Sequence, residues 1–344
     1  MSAVDDGGLG ATLRELLAEG VADGAFPSAS AWVSADGRAI GEAHVGLARR
    51  DTRWDLASLT KPMAVVDLCM RGVSDGSIDL DLRVADDLPA HLTVRALLGH
   101  RAGLPAWKDL VAALPPGFAP GARSTRLALD ALVRQAARES DPGRGVDYSD
   151  LGFMLLGRWL ERRAGRPLRA LARGYRSVPE RRAAWTAGPR FVSCGHCPWR
   201  GREVVGEVHD PNAWAWGGAA GHAGLFATVG AVGRWATRLE RGRAPGIDPG
   251  VVRAFWDAGQ RAPGATWVLG WDTPSSAGSS GGSTVSASAV GHLGFTGTSV
   301  WIDRGHGLVM VLLTNRVAAG PDAQPRLKAF RPRFHDAVRE RLGR

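Results

Sequence analysis

Gly307-Leu308-Val309-Met310-Val311-Leu312-Leu313 contains the longest strongly apolar run of this 344-residue chain. Six apolar residues cannot cross a bilayer, which takes about 20 in a helix. A short apolar run bounded by glycine reads instead as a strand. Working upstream, Ser299–Asp303, Ala287–Leu293 and Thr266–Trp271 read the same way, with glycines between them. Ser275 to Ser283 holds only Ser, Ala and Gly, the composition of a flexible loop. At the other end of the chain, Ala29–Ser34 and Ala39–Val45 alternate about Asp36-Gly37, a hairpin signal. Helical spacing is visible over Leu9–Ala22, Leu56–Gly72, Leu127–Ala137, Leu151–Arg163 and residues 324–342, and over 229–242 with Thr228 as its N-cap. A sheet fed by both chain ends requires the middle to be inserted. The expected fold is therefore α/β (α+β), with residues 1–75 and 216–344 forming one domain and 76–215 an inserted, mostly helical one. The active cleft is expected between them.

Composition excludes several classes. Apolar residues make up 44% and charged residues 22%, ordinary for a globular protein and incompatible with wholesale disorder. The net charge is +9, but the arginines are scattered and form no stripe with interleaved aromatics, so no nucleic-acid partner is expected. Met1 to Gly8 is acidic and polar where a secretory signal is basic and then apolar; a cytoplasmic chain is expected, unless a processed leader has been trimmed away, and no membrane partner. Three cysteines are too few for a disulfide framework.

Three constellations carry chemistry. In Leu56-Ala57-Ser58-Leu59-Thr60-Lys61, Ser58 and Lys61 stand three apart and share a face of the helix start. A serine hydroxyl becomes a nucleophile when a base takes its proton, and only three lysines exist in the chain: Lys61, Lys108 and Lys328. Tyr148, one of two tyrosines, lies in Asp147-Tyr148-Ser149-Asp150 where a Gly-rich loop opens a helix; a phenol near a lysine can relay a proton. Gly291-His292-Leu293-Gly294-Phe295 reads as a strand edge, whose free N–H, with that of Ser58, can form an oxyanion hole.

In this order the three resemble the motifs of the class C β-lactamase superfamily of serine hydrolases, which includes penicillin-binding DD-peptidases, D-aminopeptidases and β-lactamase-like (family VIII) esterases. Thr93 to Pro105 resembles that family's loop between its strand and helical parts. Gly221-His222-Ala223-Gly224-Leu225-Phe226-Ala227-Thr228 is similar to its Gly-Leu-x-Ser-Thr stretch, and His292-Leu293-Gly294 stands for Lys-Thr-Gly or His-x-Gly. The resemblance implies an antiparallel sheet flanked by helices, with Ser58 acylated, Lys61 as base or tuning Tyr148, and Tyr148 shuttling the proton. It implies an oxyanion hole from the N–H groups of Ser58 and Phe295. Asp150, His292, Gly294, His222 and Trp216 are the expected substrate-binding residues. No metal or organic cofactor is implied, and the partner is a small ester or amide substrate.

Two departures matter. Asp150 stands where the family has Asn: a carboxylate accepts hydrogen bonds only, and beside Lys61 it would hold the amine charged unless it turns away. His292 stands for a lysine, and a largely neutral imidazole holds a substrate carboxylate less well. Both tilt the reading toward esters, with Arg101 or another arginine a candidate for the missing charge. β-Lactam, D-amino-acid peptide or amide hydrolysis and acyl transfer are the alternatives on the same site, and an inactive binding protein the alternative from another class. Cys194-Gly195-His196-Cys197 has the spacing of a redox pair, or of part of a zinc site with His196 and His209 or His222. Several of the thirteen tryptophans, among them Trp107, Trp199, Trp214, Trp216 and Trp271, fall in loop-like segments near the motifs.

Overall fold

The computed structural model describes residues 8–174, 190–276 and 278–344. Residues 1–7, most of the stretch on which the cytoplasmic expectation rests, lie outside them. Five strands make one antiparallel sheet, in the spatial order Arg38–Val45, Ala29–Ala35, Leu308–Thr314, Ser299–Asp303 and Val290–Leu293. The apolar run is its middle strand and is buried throughout. A strand covered on both faces needs no polar alternation, which is why this one reads as a continuous apolar block.

The strand period of two sorts its side chains between two layers. Met310 and Leu312 join Leu13 and Leu17 of the helix Leu9–Ala22, and Phe330 and Phe334 of the terminal helix Ala323–Leu342, in one cluster. Val309, Val311 and Leu313 join Val232, Ala236 and Leu239 of the helix Val229–Glu240 in the main core on the opposite face. Each of these Val, Leu, Met and Phe side chains contributes about 1.5–3 kcal/mol on burial. Thr228 does cap its helix, Oγ1 accepting the Ala231 N–H at 3.3 Å.

The main core continues into the helical middle of the chain, where Asp150–Ala164 is buried along most of its length. There the backbone at Gly221 comes so close to this helix that a Cβ would lie 1.9 Å from the Phe153 carbonyl oxygen. Among the described residues no helix is long and apolar enough to cross a membrane.

Three local expectations are corrected. Thr266–Trp271 is not a strand: Gly270 turns back at φ +79°, giving its N–H to Leu98 O, and only Asp272 bridges to the sheet, at Gly291. The apolar side chains Val268, Leu269 and Trp271 enter the core without pairing, so strand-like composition reflects burial rather than a ladder. Leu56–Gly72 is helical in three pieces: a 3₁₀ turn at Ala57–Leu59, a π-helical turn at Lys61–Val66, and an α-helix over Asp67–Ser74. In Ser275–Ser283, Ala277 lies outside the described residues, and the far end is anchored. Arg339 donates to Gly281 O at 2.7 Å, and the Ser283 N–H donates to Asp336 at 2.8 Å.

Candidate active site

The backbone ahead of Ser58 is held from two sides. Ala57 is in the left-handed region, φ +46°, unfavourable for a side-chain-bearing residue. Its N–H is fixed by the Asp55 carboxylate at 2.9 Å, and the neighbouring carbonyls of Asp55 and Leu56 accept from Thr296 and Thr298 at 2.8 and 3.0 Å. The segment after Val290–Leu293 is thereby locked to the turn that presents Ser58. Burial pushes the Asp55 carboxyl up to about 6, against the opposing pull of the His209 and Ala57 N–H groups.

Lys61, fully buried, gathers the polar side chains. Its Nζ is 3.1 Å from Ser58 Oγ, 2.6 Å from the Tyr148 hydroxyl and 2.6 Å from Asp150 Oδ1. Burial alone would lower the Lys61 pKa, but the Asp150 carboxylate and Tyr148 outweigh it and hold the amine above its ordinary value. Asp150 therefore does not turn away, and Lys61 is an ammonium at neutral pH. The Tyr148 phenol is raised by burial, against the attraction of Lys61, and keeps its proton. Replacing Asp150 with Asn removes the largest attraction holding Lys61 charged, so the Lys61 pKa is expected to fall below its wild-type value. A pH titration of ¹³Cε-lysine resonances measures this, since only three lysines contribute; an unmoved midpoint would refute the ion pair.

Tyr148 is placed by the loop at His100. The His100 carbonyl accepts the Asp147 N–H at 3.1 Å, and its Nδ1 accepts the Ser149 N–H at 3.0 Å. The rings of His100 and Trp267 lie 4.6 and 5.0 Å from that of Tyr148. Burial leaves His100 neutral, well below its ordinary pKa. Ser149 then starts the helix Asp150–Ala164 by accepting the Gly152 N–H at 3.2 Å.

Ser58, Tyr148, Asp150 and Phe295 border two cavities. One, of about 430 Å³, is also lined by Trp107, His209, Asp210 and His222. The other, of about 340 Å³, is lined by Trp267, Asp272, His292, Gly294 and Arg331. His292 is neutral, pushed down to about 3 by burial and then by Lys61. Gly294 gives its N–H to Thr298 O at 2.8 Å, whereas the N–H groups of Ser58 and Phe295 have no acceptor among the described residues. Both are thus free to meet a developing oxyanion.

Trp216 is a correction. It closes the short helix Pro211–Ala215, turns inward and packs in the core, lining neither cavity. Trp107 and Trp267 stand at the cavities in its place. Arg101 lies over Gly99 and borders neither; the cation there is Arg331, buried in the terminal helix. Asp210, Asp272 and Arg331 are not legible as site residues, because none of them falls within a motif.

The Cys194–Cys197 segment is a strand paired with Arg202–Val205, its thiols free and buried. Burial drives the Cys194 pKa far up, opposite to what a reactive thiol needs. Among the described residues the one group of three metal-type donors is Asp150, Asp210 and His222, which excludes both cysteines and overturns the zinc alternative built on them.

The family model described as Beta-lactamase matches residues 13–330. A Salmonella agona (strain SL483) protein, provisionally named a D-alanyl-D-alanine carboxypeptidase, is 29% identical over 327 residues, covering 83% of this chain and 74% of its own. Among solved structures, EstCE1, a hydrolase with promiscuous acyltransferase activity, superimposes with a TM-score of 0.68 at 18% identity, covering 98% of this chain and 100% of its own. The D-amino acid amidase of Ochrobactrum anthropi SV3 does so with a TM-score of 0.66 at 19% identity, covering 97% and 99%.

Proposed function

This chain belongs to the beta-lactamase family of serine hydrolases, and from that premise we propose that it hydrolyses carboxylic esters through an acyl-enzyme on Ser58. The observation that carries this reading is the convergence of Ser58, Tyr148 and Asp150 on the Lys61 ammonium, at 3.1, 2.6 and 2.6 Å.

Because Lys61 is charged and Tyr148 protonated, neither accepts a proton without passing one on. Asp150 is the end of the line. As Ser58 Oγ attacks the ester carbonyl, its proton moves to Tyr148, the phenol proton to Lys61, and a Lys61 proton to Asp150 Oδ1. Tyr148 and Lys61 each gain one proton and pass one on, so Lys61 ends as an ammonium 3.1 Å from Ser58 Oγ, and only Asp150 changes charge, to a carboxylic acid. The reverse relay protonates the departing alkoxide, breaking the C–O bond. A water then attacks the acyl group, giving its proton to the same relay, and Ser58 leaves with a proton. The N–H groups of Ser58 and Phe295 stabilise the oxyanion in both steps.

Esters are favoured because the position of the family lysine holds a neutral His292, which offers a substrate carboxylate no charge. Arg331 supports a second reading. It is buried, lines the cavity beside His292 and has a Thr298 carbonyl as its hydrogen-bond acceptor, so it suits the carboxylate of a D-amino-acid peptide. The carboxypeptidase name of the Salmonella relative points the same way. Parallel assays with p-nitrophenyl butyrate, a D-alanyl-D-alanine peptide and a chromogenic cephalosporin separate the readings. The ester is expected to turn over with the highest kcat/KM; faster cleavage of the peptide would give the second reading the site.

A further inference from the structure

The larger cavity beside Ser58 has an unusual charge balance. Asp150 and Asp210 both line it, and together with His222 they bring one donor atom each within 4.8 Å of one another. None of the side chains lining this cavity is a lysine or arginine. His209, which also lines it, is kept neutral, pushed down to about 4 by burial and then by Arg200.

The two carboxylates are each half used. Asp150 Oδ1 accepts from Lys61 Nζ at 2.6 Å. Asp210 Oδ1 accepts the Ala213 N–H at 2.7 Å and pairs with His222 Nε2 at 2.9 Å. Neither Oδ2 has a partner among the described residues. His222 is 1% exposed, and its Nδ1 is buried without a partner. Asp210 stays ionised: burial would raise its pKa, but His222 and the Ala213 N–H bring it below the ordinary carboxylate value. Trp107, Phe295 and Pro211 supply apolar wall around these acceptors.

We propose that this cavity binds a substrate ammonium group between Asp150 and Asp210, so that the preferred ester or amide carries a free amine on the part of the molecule that enters there. Charge-assisted N–H···O contacts run about 2.7–2.9 Å, so one nitrogen can reach two oxygens up to about 5.5 Å apart, and an oxygen of Asp150 lies within 4.8 Å of an oxygen of Asp210. An ammonium has three donors, enough for one oxygen of each carboxylate with one to spare. A divalent metal ion fits less well. It would bring two positive charges beside the Lys61 ammonium that already holds Asp150, whereas a substrate ammonium brings one.

The inference rests on the Ser58 hydrolase reading, and the test separates the two. Calorimetric titrations of Ser58→Ala at pH 6.5, where an α-amine is charged, compare alanine butyl ester, each enantiomer, with butyl isobutyrate, in which a methyl replaces the ammonium. One alanine enantiomer is expected to bind about 10–100-fold more tightly than the isobutyrate, the range of a hydrogen bond to a charged group. Asp210→Asn, which retains a side chain able to cap Pro211–Ala215, is expected to cut that preference about tenfold. Equal affinities in Ser58→Ala overturn the inference even if Asp210→Asn fails to fold. Binding of zinc alone, with no response to either alanine ester, overturns it in favour of a metal site. Wild-type turnover of p-nitrophenyl butyrate without ammonium preference leaves the hydrolase reading standing while the inference falls. If wild type hydrolyses no ester or amide, that reading falls and the affinity ratio still decides the inference.

Discussion

Ser58→Ala is expected to lower kcat/KM for p-nitrophenyl butyrate by about 10⁴-fold or more, to the level of the buffer reaction plus whatever the oxyanion donors alone provide. The size follows from the chemistry. Without Oγ there is no acyl-enzyme, and the buried Lys61–Tyr148–Asp150 group has no hydroxyl to deprotonate. The fold has little to lose, because Ser58 is partly exposed and contributes one 3.1 Å contact to Lys61. Equal melting temperatures for the two proteins, measured beside the rates, would assign the loss to chemistry. Intact mass spectrometry adds a second readout: a fluorophosphonate should add once to wild type and not to Ser58→Ala. Retained turnover in the variant would sink the nucleophile assignment. Wild-type inactivity together with absent labelling would move the inactive binding-protein reading to the front.

Lys61→Met is expected to have the other large effect, and it strikes stability as well as rate. Met occupies a similar volume, so packing is nearly conserved. What is lost is the charge that Asp150 faces at 2.6 Å, in a site where the lysine is wholly buried and the carboxylate largely so. An unpaired carboxylate there costs about 2–3 kcal/mol, toward the lower end for breaking a buried ion pair because Asp150 retains some exposure. Activity should fall by about 10³-fold or more, since the relay from Tyr148 is cut. The double variant Lys61→Met/Asp150→Asn separates the two effects. Removing the stranded charge should return stability to within about 1 kcal/mol of wild type while activity stays lost. Urea unfolding and ester turnover on the same three proteins check this. A Lys61→Met protein as stable as wild type would mean that the ion pair contributes nothing to the fold.

Much of the architecture is legible in the residues. The Asp36-Gly37 turn, the alternation on either side of it, the apolar run at 308–313 and the glycine-bounded segments at 287–293 and 299–303 identify all five sheet strands. Helical spacing finds the first helix, the Asp150–Ala164 helix and the terminal helix. Thr266–Trp271 misleads because β-branched and aromatic residues report burial, and burial without pairing is what the turn at Gly270 produces. The π-helical turn after Lys61 has no sequence signature beyond Pro62, which tolerates a helix start but does not specify the hydrogen-bond register.

Within the site, the Ser58–Lys61 contact follows from a spacing of three on one helix face, so the sequence alone determines it. The chemical character of the substitutions, a carboxylate for Asn at 150 and an imidazole for lysine at 292, is equally a property of the sequence. Where those groups point is not. Asp150 has a choice between solvent and Lys61, and the neighbouring Ser149 cap and the Ala106 carbonyl accepting its N–H turn it inward. Tyr148 reaches Lys61 because His100, 48 residues upstream, holds the backbone on either side of it. Trp216 looks like a cavity residue from its neighbours, yet a five-residue helix rotates it into the core. Asp210 and Arg331 reach the cavities from segments without a motif of their own. Local spacing sets contacts within a turn; contacts across 50 or more residues depend on how buried helices and strands pack, and only the tertiary structure decides those.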